Sequence, residues 1–143
     1  MTISLDSCLV IDVINGKSEL ARDRLLDARE GDEPLVISSL VFHEVHYGAA
    51  ISKRPRVQAE LLAAVTDGIP IEPFTARDAA ATTQLRRVLR GLGREIGGID
   101  TLIAGQALAR GWMLVTSNTR DFDRVPNLKI VDWTRPDGVE SQG

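Results

Sequence analysis

The feature that most constrains this chain is a set of short apolar runs with almost no polar interruption. They are "TISLDS" (Thr2 to Ser7), "PLVIS" (Pro34 to Ser38), "GWMLVTSN" (Gly111 to Asn118) and "LKIVDW" (Leu128 to Trp133). A strand that is apolar on successive positions has no face to give to water, so both of its faces must be covered. Patterns of helical period separate the runs. "CLVIDVING" stops at Asn15-Gly16, and "SELARDRLLDAREG" turns Leu20, Leu25, Leu26 and Ala28 inward. "SLVFHEVHYGAAI" is capped by Ser38 or Ser39, "RVQAELLAAVTDG" ends at Gly68, and "TARDAAATTQLRRVLRGLG" follows a capping Thr75. "EIGGIDTLIAGQALARG" (Glu95 to Gly111) is apolar all round and so reads as a buried helix. "IPIEPF" is a short strand-like segment, "TRDFDRVP" a loop or short turn, and "TRPDGVESQG" a frayed tail. Buried strands alternating with helices predict an α/β fold of three layers, α/β/α, around a short and mostly parallel sheet.

With 143 residues, 43% hydrophobic and 26% charged, the chain is expected to be one globular domain over residues 1–135, with 136–143 as the tail. No apolar run is long enough for a membrane span, and carboxylates interrupt the N-terminal one, so neither a membrane location nor a signal peptide is expected. The single cysteine, Cys8, permits no intrachain disulfide and suits a reducing, cytoplasmic setting. A net charge of −3 offers no bulk attraction for nucleic acid, so such a partner needs a local basic patch or a cation.

Ligands of an open parallel sheet bind at the carboxyl ends of its strands. Acids collect there. Asp6 ends the first strand, Asp121 and Asp123 follow the strand at 111–118, and Asp100 opens the buried helix before it. Each has a bland alternative. Asp6 and Asp100 could be N-caps, Asp100 accepting from the amide of Leu102 or Ile103. Asp123 reads as part of a solvated turn, whereas Asp121 lies nearer the strand end beside an inward Phe122. Glu44 interrupts the face Leu40, Val41, Val45, Gly48, and its alternative is a salt bridge to an arginine. Carboxylates a few ångströms apart stay ionised together only around a cation, and hard oxygen ligands select Mg²⁺ or Mn²⁺ over zinc. Four acids on one parallel sheet, with no nucleotide-binding loop, outline a metal-dependent phosphodiester nuclease.

At this point the chain resembles a family, the PIN domains, and among them the VapC-type ribonuclease toxins. "LDS" is similar to the family's "LDT", and "SSLVFHEVHYGA" to its serine-led helix with a central acid. "REIGGIDTLIAGQAL" is similar to its "IGGND" segment, and "LVTSNTRDFDRVPNLKIVDW" to its "LVTNNxxEFxRVxGLxxEDW" ending. The resemblance spans nearly the whole chain. It implies Asp6, Glu44, Asp100 and Asp121 as the metal-holding and catalytic acids, with Ser7, Thr116 and Asn118 in support. It implies Mg²⁺ or Mn²⁺, attack by a metal-bound water on an RNA phosphodiester, a homodimer, and inhibition by a cognate antitoxin. It further implies that Asp100 both caps its helix and faces the metal. The chain departs from the pattern where Ser7-Cys8 replaces Thr-Asn, where Ser117-Asn118 replaces Asn-Asn, and at Ile99. A PIN-like module without catalysis, serving binding or regulation, is the rival reading, although no acid of the pattern is missing.

Other motifs carry less. "HEVH" places His43 and His46 at i and i+3, not the i and i+4 of a zinc protease helix, and with Tyr47 it reads as a flank facing a partner. Cys8 lacks a basic partner that would make it a nucleophile and reads as a small buried residue. "GLGREIGG" is out of step with a dinucleotide-binding loop. A receiver domain would need a lysine at a later strand end, and a dehalogenase-type phosphatase an acid at position 8; neither is present. Two basic groups, Lys53, Arg54 and Arg56, and Arg86, Arg87, Arg90 and Arg94, suit a solvated face, RNA phosphates or the acids of an antitoxin equally well.

Overall fold

The apolar runs become the strands of one sheet. A computed structural model describes residues 1–137 and 140–142. Strand β1 (Ile3–Leu5) and strand β2 (Leu35–Ser38) are buried at every position. With β3 (Ile71–Glu72), β4 (Met113–Val115), β5 (Lys129–Val131) and β6 (Glu140–Gln142) they form a sheet in the order β3-β2-β1-β4-β5-β6. The first five strands run parallel, and β6 pairs antiparallel with β5. The tail expected to fray from residue 136 therefore includes a backbone-paired segment; positions 138, 139 and 143 lie outside the described residues.

Chain order runs outward in one direction through β2 and β3, and in the other through β4 and β5. The reversal falls between β1 and β4, joined in register Ile3↔Met113 to Leu5↔Val115. At such a switch point the following segments splay apart and leave a crevice at the carboxyl ends. That crevice is framed by the amide of Asp6, which donates to the Val115 carbonyl at 2.9 Å, and that of Thr116, which donates to Val131 at 3.0 Å.

Among the described residues seven helices cover the sheet: α1 (Ser7–Ile14), α2 (Glu19–Glu30), α3 (Ser39–Ala50), α4 (Pro55–Thr66), α5 (Ala76–Leu92), α6 (Gly98–Arg110) and α7 (Thr119–Phe122). Their ends follow local chemistry. Ser18 caps α2 by accepting from the Ala21 amide at 3.1 Å, and Ser38, not Ser39, caps α3 by accepting from Leu40 at 3.1 Å. Ser39 instead accepts from the Phe74 amide at 3.0 Å. Before α5, the amide and hydroxyl of Thr75 both donate to Asp78 Oδ2, at 2.8 and 3.1 Å. Gly93 and Gly111, with φ of 65° and 67°, end α5 and α6 in the left-handed region that glycine adopts without strain.

Three expectations change. Leu26, read as inward, is 52% exposed, because α2 buries only Ala21 and Leu25. The segment "TRDFDRVP" holds the one-turn helix α7, seated on a wholly buried Phe122. Gly48, placed on the inner face of α3, is exposed, while Val41 and Val45 are buried. The core joins both sides of the sheet through Leu5, Leu9, Ile37, Leu62, Leu89, Leu114, Phe122 and Ile130. Among the described residues no helix is long and apolar enough to cross a membrane.

Candidate active site at the carboxyl ends of the central strands

Asp6 stands at the junction of β1 and α1, in the N-cap position, yet its side chain makes no capping bond. The carboxylate turns into the crevice and is only 3% exposed. Its Oδ2 accepts from the Thr116 hydroxyl at 2.8 Å and from the Cys8 thiol at 3.4 Å. Its Oδ1 is buried with no hydrogen-bond partner. A cap would have satisfied the helix amides; this group is held for something else. Burial pushes its pKa up, against the opposing pull of Thr116, the Ser7 amide and Cys8.

Asp100 does not cap either. Gly97 is the N-cap of α6, so Asp100 lies in the first turn, where the helix dipole favours negative charge. The expectation that it accepts from the amide of Leu102 or Ile103 is therefore corrected: the helix starts at Gly98, three residues earlier than a capping Asp100 requires. Its Oδ2 accepts instead from the Asn118 side-chain amide at 3.3 Å. The same amide donates to Asp121 Oδ2 at 3.3 Å, so Asn118 clasps two acids that would otherwise repel. Burial, and then the charges of Asp6, Glu44 and Asp121, push the pKa of Asp100 up to about 6. Those charges act on it only because all four acids share one neighbourhood.

Glu44 projects from α3 beside the buried Val41 and Val45 and is half-buried. The alternative reading, a salt bridge to an arginine, has no support among the described ion pairs, and Glu44 Oε1 is buried with no hydrogen-bond partner. Burial and then the charge of Asp6 raise its pKa, while Ser7 and His43 pull it down. Asp121 sits on α7, fixed in place by the burial of the adjacent Phe122. Thr116 is wholly buried, and its Oγ1 also accepts from the Asn118 amide at 3.0 Å. The crevice thus gathers Asp6, Ser7, Glu44, Asp100, Thr116, Asn118 and Asp121, contributed by four separate stretches of sequence.

The sequence reading passed over Cys8 as a small buried residue. Its sulfur accepts from the Ser117 amide at 3.3 Å and lies 3.4 Å from Thr116 Oγ1, so it ties the β4 exit to Asp6. Burial, and then the charge of Asp6, raise the pKa of its thiol, which keeps it protonated and unreactive. The signal available was its position, two residues beyond Asp6 on the first turn of α1. His43 stacks on Tyr47 with ring centroids 6.1 Å apart, and His46 Nδ1 bonds to the Phe42 carbonyl at 2.8 Å. These rings are exposed.

Among the described residues no three His, Cys, Asp or Glu side chains form a ready-made metal cage. The two orphaned buried oxygens, Asp6 Oδ1 and Glu44 Oε1, are the donors that a hard cation would satisfy. The donor set is all oxygen and carries up to four negative charges, which fits Mg²⁺ or Mn²⁺ and does not fit zinc.

A family model for the PIN domain matches residues 3–128. The tRNA(fMet)-specific endonuclease VapC of Shigella flexneri is 35% identical over 130 residues, covering 91% of this chain and 96% of its own. The crystal structure of VapBC2 from Rickettsia felis bound to a promoter DNA fragment superposes with a TM-score of 0.86 at 30% identity, covering 93% of this chain and 99% of that one. DNA-bound VapBC from Salmonella typhimurium gives 0.84 at 31% identity, covering 93% and 98%. The chain belongs to the PIN-domain family, in its VapC branch.

Proposed function

We propose that the protein is a divalent-metal-dependent endoribonuclease that acts as the toxin of a toxin–antitoxin pair. The observation that carries this reading is the convergence of four acids, two of them with a buried and unpartnered oxygen, at the switch point of a parallel sheet. Asp6, Glu44 and Asp100 would hold a Mg²⁺ or Mn²⁺ ion, and Asp121 completes the set directly or through water. When bound, such an ion lowers the pKa of a water molecule and offsets the charge that builds on a phosphodiester under attack. The chain's own residues prepare for this. Thr116 and Cys8 orient Asp6, so that its free oxygen points into the crevice. Asn118 keeps Asp100 and Asp121 together, and Ser7 favours the charged form of Glu44. In-line hydrolysis of RNA is the reaction such an oxygen-rich, anionic centre serves. The VapC relative from Shigella, named for tRNA(fMet), supports an RNA substrate and makes that tRNA the first one to try. The solved VapBC complexes support a small antitoxin as the inhibitory partner, and we extend the reading to a homodimer.

The test is cleavage of labelled RNA, including tRNA(fMet), by metal-stripped protein with Mg²⁺ or Mn²⁺ restored. Asp6→Asn and Asp100→Asn should each abolish cutting while circular dichroism shows the fold unchanged. Near-normal cutting by either variant, or by the wild type in excess chelator, refutes the assignment. A wild type that binds RNA but never cuts it identifies a non-catalytic module.

A further inference from the structure

We propose that the C-terminal half of α5 is a phosphate-binding track that leads single-stranded RNA to Asp100; this rests on the nuclease reading above and deepens it. Thr83, Arg86, Arg87 and Arg90 fall at i, i+3, i+4 and i+7 of α5 and so share one face. With Glu95 they line a cavity of about 400 Å³. Three guanidinium groups against one carboxylate make this a local reversal of sign on a chain whose net charge is −3.

These arginines are also unspent. Several other guanidinium groups stitch the fold, Arg24 to the carbonyls of Trp133, Arg135 and Pro136, Arg29 to those of Ala64, Val65 and Asp67, and Arg77 to Ala109, whereas the track arginines, like Arg54, Arg56, Arg94 and Arg120, do not. The side chains of Arg86 and Arg90 have no hydrogen bond or ion pair among the described residues, and that of Arg87 reaches only Gln84 of its own helix, at 3.4 Å. Folding therefore does not account for them.

Their position does. The left-handed turn at Gly93 folds the chain back, so α6 runs along α5 and its N-terminus lies beside the C-terminal end of α5. A second cavity, about 120 Å³, is lined by Arg86 and Glu95 from the first one together with Leu89, Ile96, Gly98 and Thr101. Gly98 and Thr101 bracket Asp100 on α6. A bound strand lying on Arg90 and Arg86 would thus reach the first turn of α6, the turn that carries Asp100, although Asp100 itself lines neither cavity. Four residues of helix separate those two arginines by about 6 Å along the axis, a reach that lets them address successive phosphates of an unstacked strand. Neither cavity is lined by an aromatic ring, so bases have no stacking platform there. The track reads backbone charge and not sequence. Nearness to the turn that carries Asp100 favours RNA over an acidic protein segment, because a phosphodiester must arrive at that crevice to be cut.

The test compares wild type, Arg86→Gln/Arg90→Gln, and Arg22→Gln as an exposed arginine outside the track, with an unstructured fluorescent RNA in Mg²⁺. The double variant should raise KM about tenfold with kcat within twofold of wild type, and Arg22→Gln should change neither. The slope of log affinity against log salt should flatten by about 1.4, the loss of two single-strand phosphate contacts. Unchanged KM and slope in a double variant that cuts normally overturn the track and leave the nuclease reading intact. Unaltered RNA kinetics with lost binding of an acidic antitoxin overturn it in favour of a protein surface. If the wild type never cuts, but binds RNA with a salt slope that the double variant loses, the track stands and the nuclease reading falls.

Discussion

Asp6 Oδ1 and Glu44 Oε1 are buried oxygens on acids with no donor to meet them. Leaving such groups unsatisfied costs about 1–3 kcal/mol each, more when charged, a cost that a cation bound in the crevice would remove. Thr116 shows how the site is tuned around that cost. Its hydroxyl donates to Asp6 and accepts from the Asn118 amide, linking the two strands at the switch point. Thr116→Val removes both bonds while keeping shape, so RNA cleavage should fall by about 10–100-fold. Thr116→Ser should stay within a few-fold of wild type, and initial rates at saturating Mg²⁺ separate the two. A Val variant as active as wild type would show that Asp6 needs no orienting donor. At this scale the sequence was legible where a residue contradicts its surroundings, as Glu44 does among Val41 and Val45. It was opaque where two roles use the same residue type at the same position. An aspartate beside a helix start looks like a cap, and only the coordinates show that neither Asp6 nor Asp100 makes a capping bond.

The α5–α6 pair carries Asp100 and sets where it stands. The helices meet at Gly105, where an added Cβ would overlap the Thr82 hydroxyl and lie 2.9 Å from Thr82 Cα. Two effects oppose in Gly105→Ala. Alanine gains about 1 kcal/mol of helix propensity, while overpacking costs about 1–3 kcal/mol and here strikes backbone, which cannot rotate away. The clash should win, lowering stability by about 1 kcal/mol or more and moving the urea midpoint down with an unchanged m-value. An increase in stability would mean that the helices are free to part. Asp78 anchors the other end of α5. It is wholly buried, receives both Thr75 groups, and pairs with Arg110 at 2.9 Å. Asp78→Ala loses a cap and leaves Arg110, among the described residues, with Glu72 at 3.7 Å, the Pro73 carbonyl and the face of Trp112 at 5.4 Å, so it should cost about 3 kcal/mol by denaturant titration. Helix positions and most caps were readable from period and end chemistry. The partner of Asp78 was not, since Arg110 lies 32 residues further on, and pairing at that range follows from packing. Leu26 was misread for a related reason: a helical stripe has a width, and α2 uses only part of it.

The molecule as a whole balances a sheet that folds well against a site that does not favour folding. Burial, then like charges, hold Asp100 at about 6 in the folded chain against 3.8 when unperturbed, and Asp6 and Glu44 shift the same way. The folded state therefore binds these protons more tightly than the unfolded state does. The contribution of Asp100 to stability is complete below its unfolded value near 4 and is lost as pH rises through about 6; those of Asp6 and Glu44 are lost in the same direction, as pH rises through their own raised values. For Asp100 that loss is roughly 2 kcal/mol once solvent screening of a half-buried group is allowed for, or about 4–8 °C in melting temperature. Asp78 works in the opposite sense: although burial raises its pKa, Arg110 and Thr75 more than reverse this, so its contribution is lost only on acidification below the unfolded value. Metal-stripped protein should thus melt highest near pH 4–5 and progressively lower toward pH 7. A divalent cation bound among the acids replaces the protons, so Mg²⁺ or Mn²⁺ should restore the melting temperature at pH 7.5 and do little at pH 4.5, where protons already neutralise the site. Asp100→Asn should flatten the metal-free profile between pH 4 and 7 and shrink the Mg²⁺ effect together, because one carboxylate causes both. Differential scanning calorimetry across pH, with and without the ion, measures all three. A flat wild-type profile, or an equal Mg²⁺ effect at both pH values, would mean that the four acids do not share a field and that the crevice is not built around a cation.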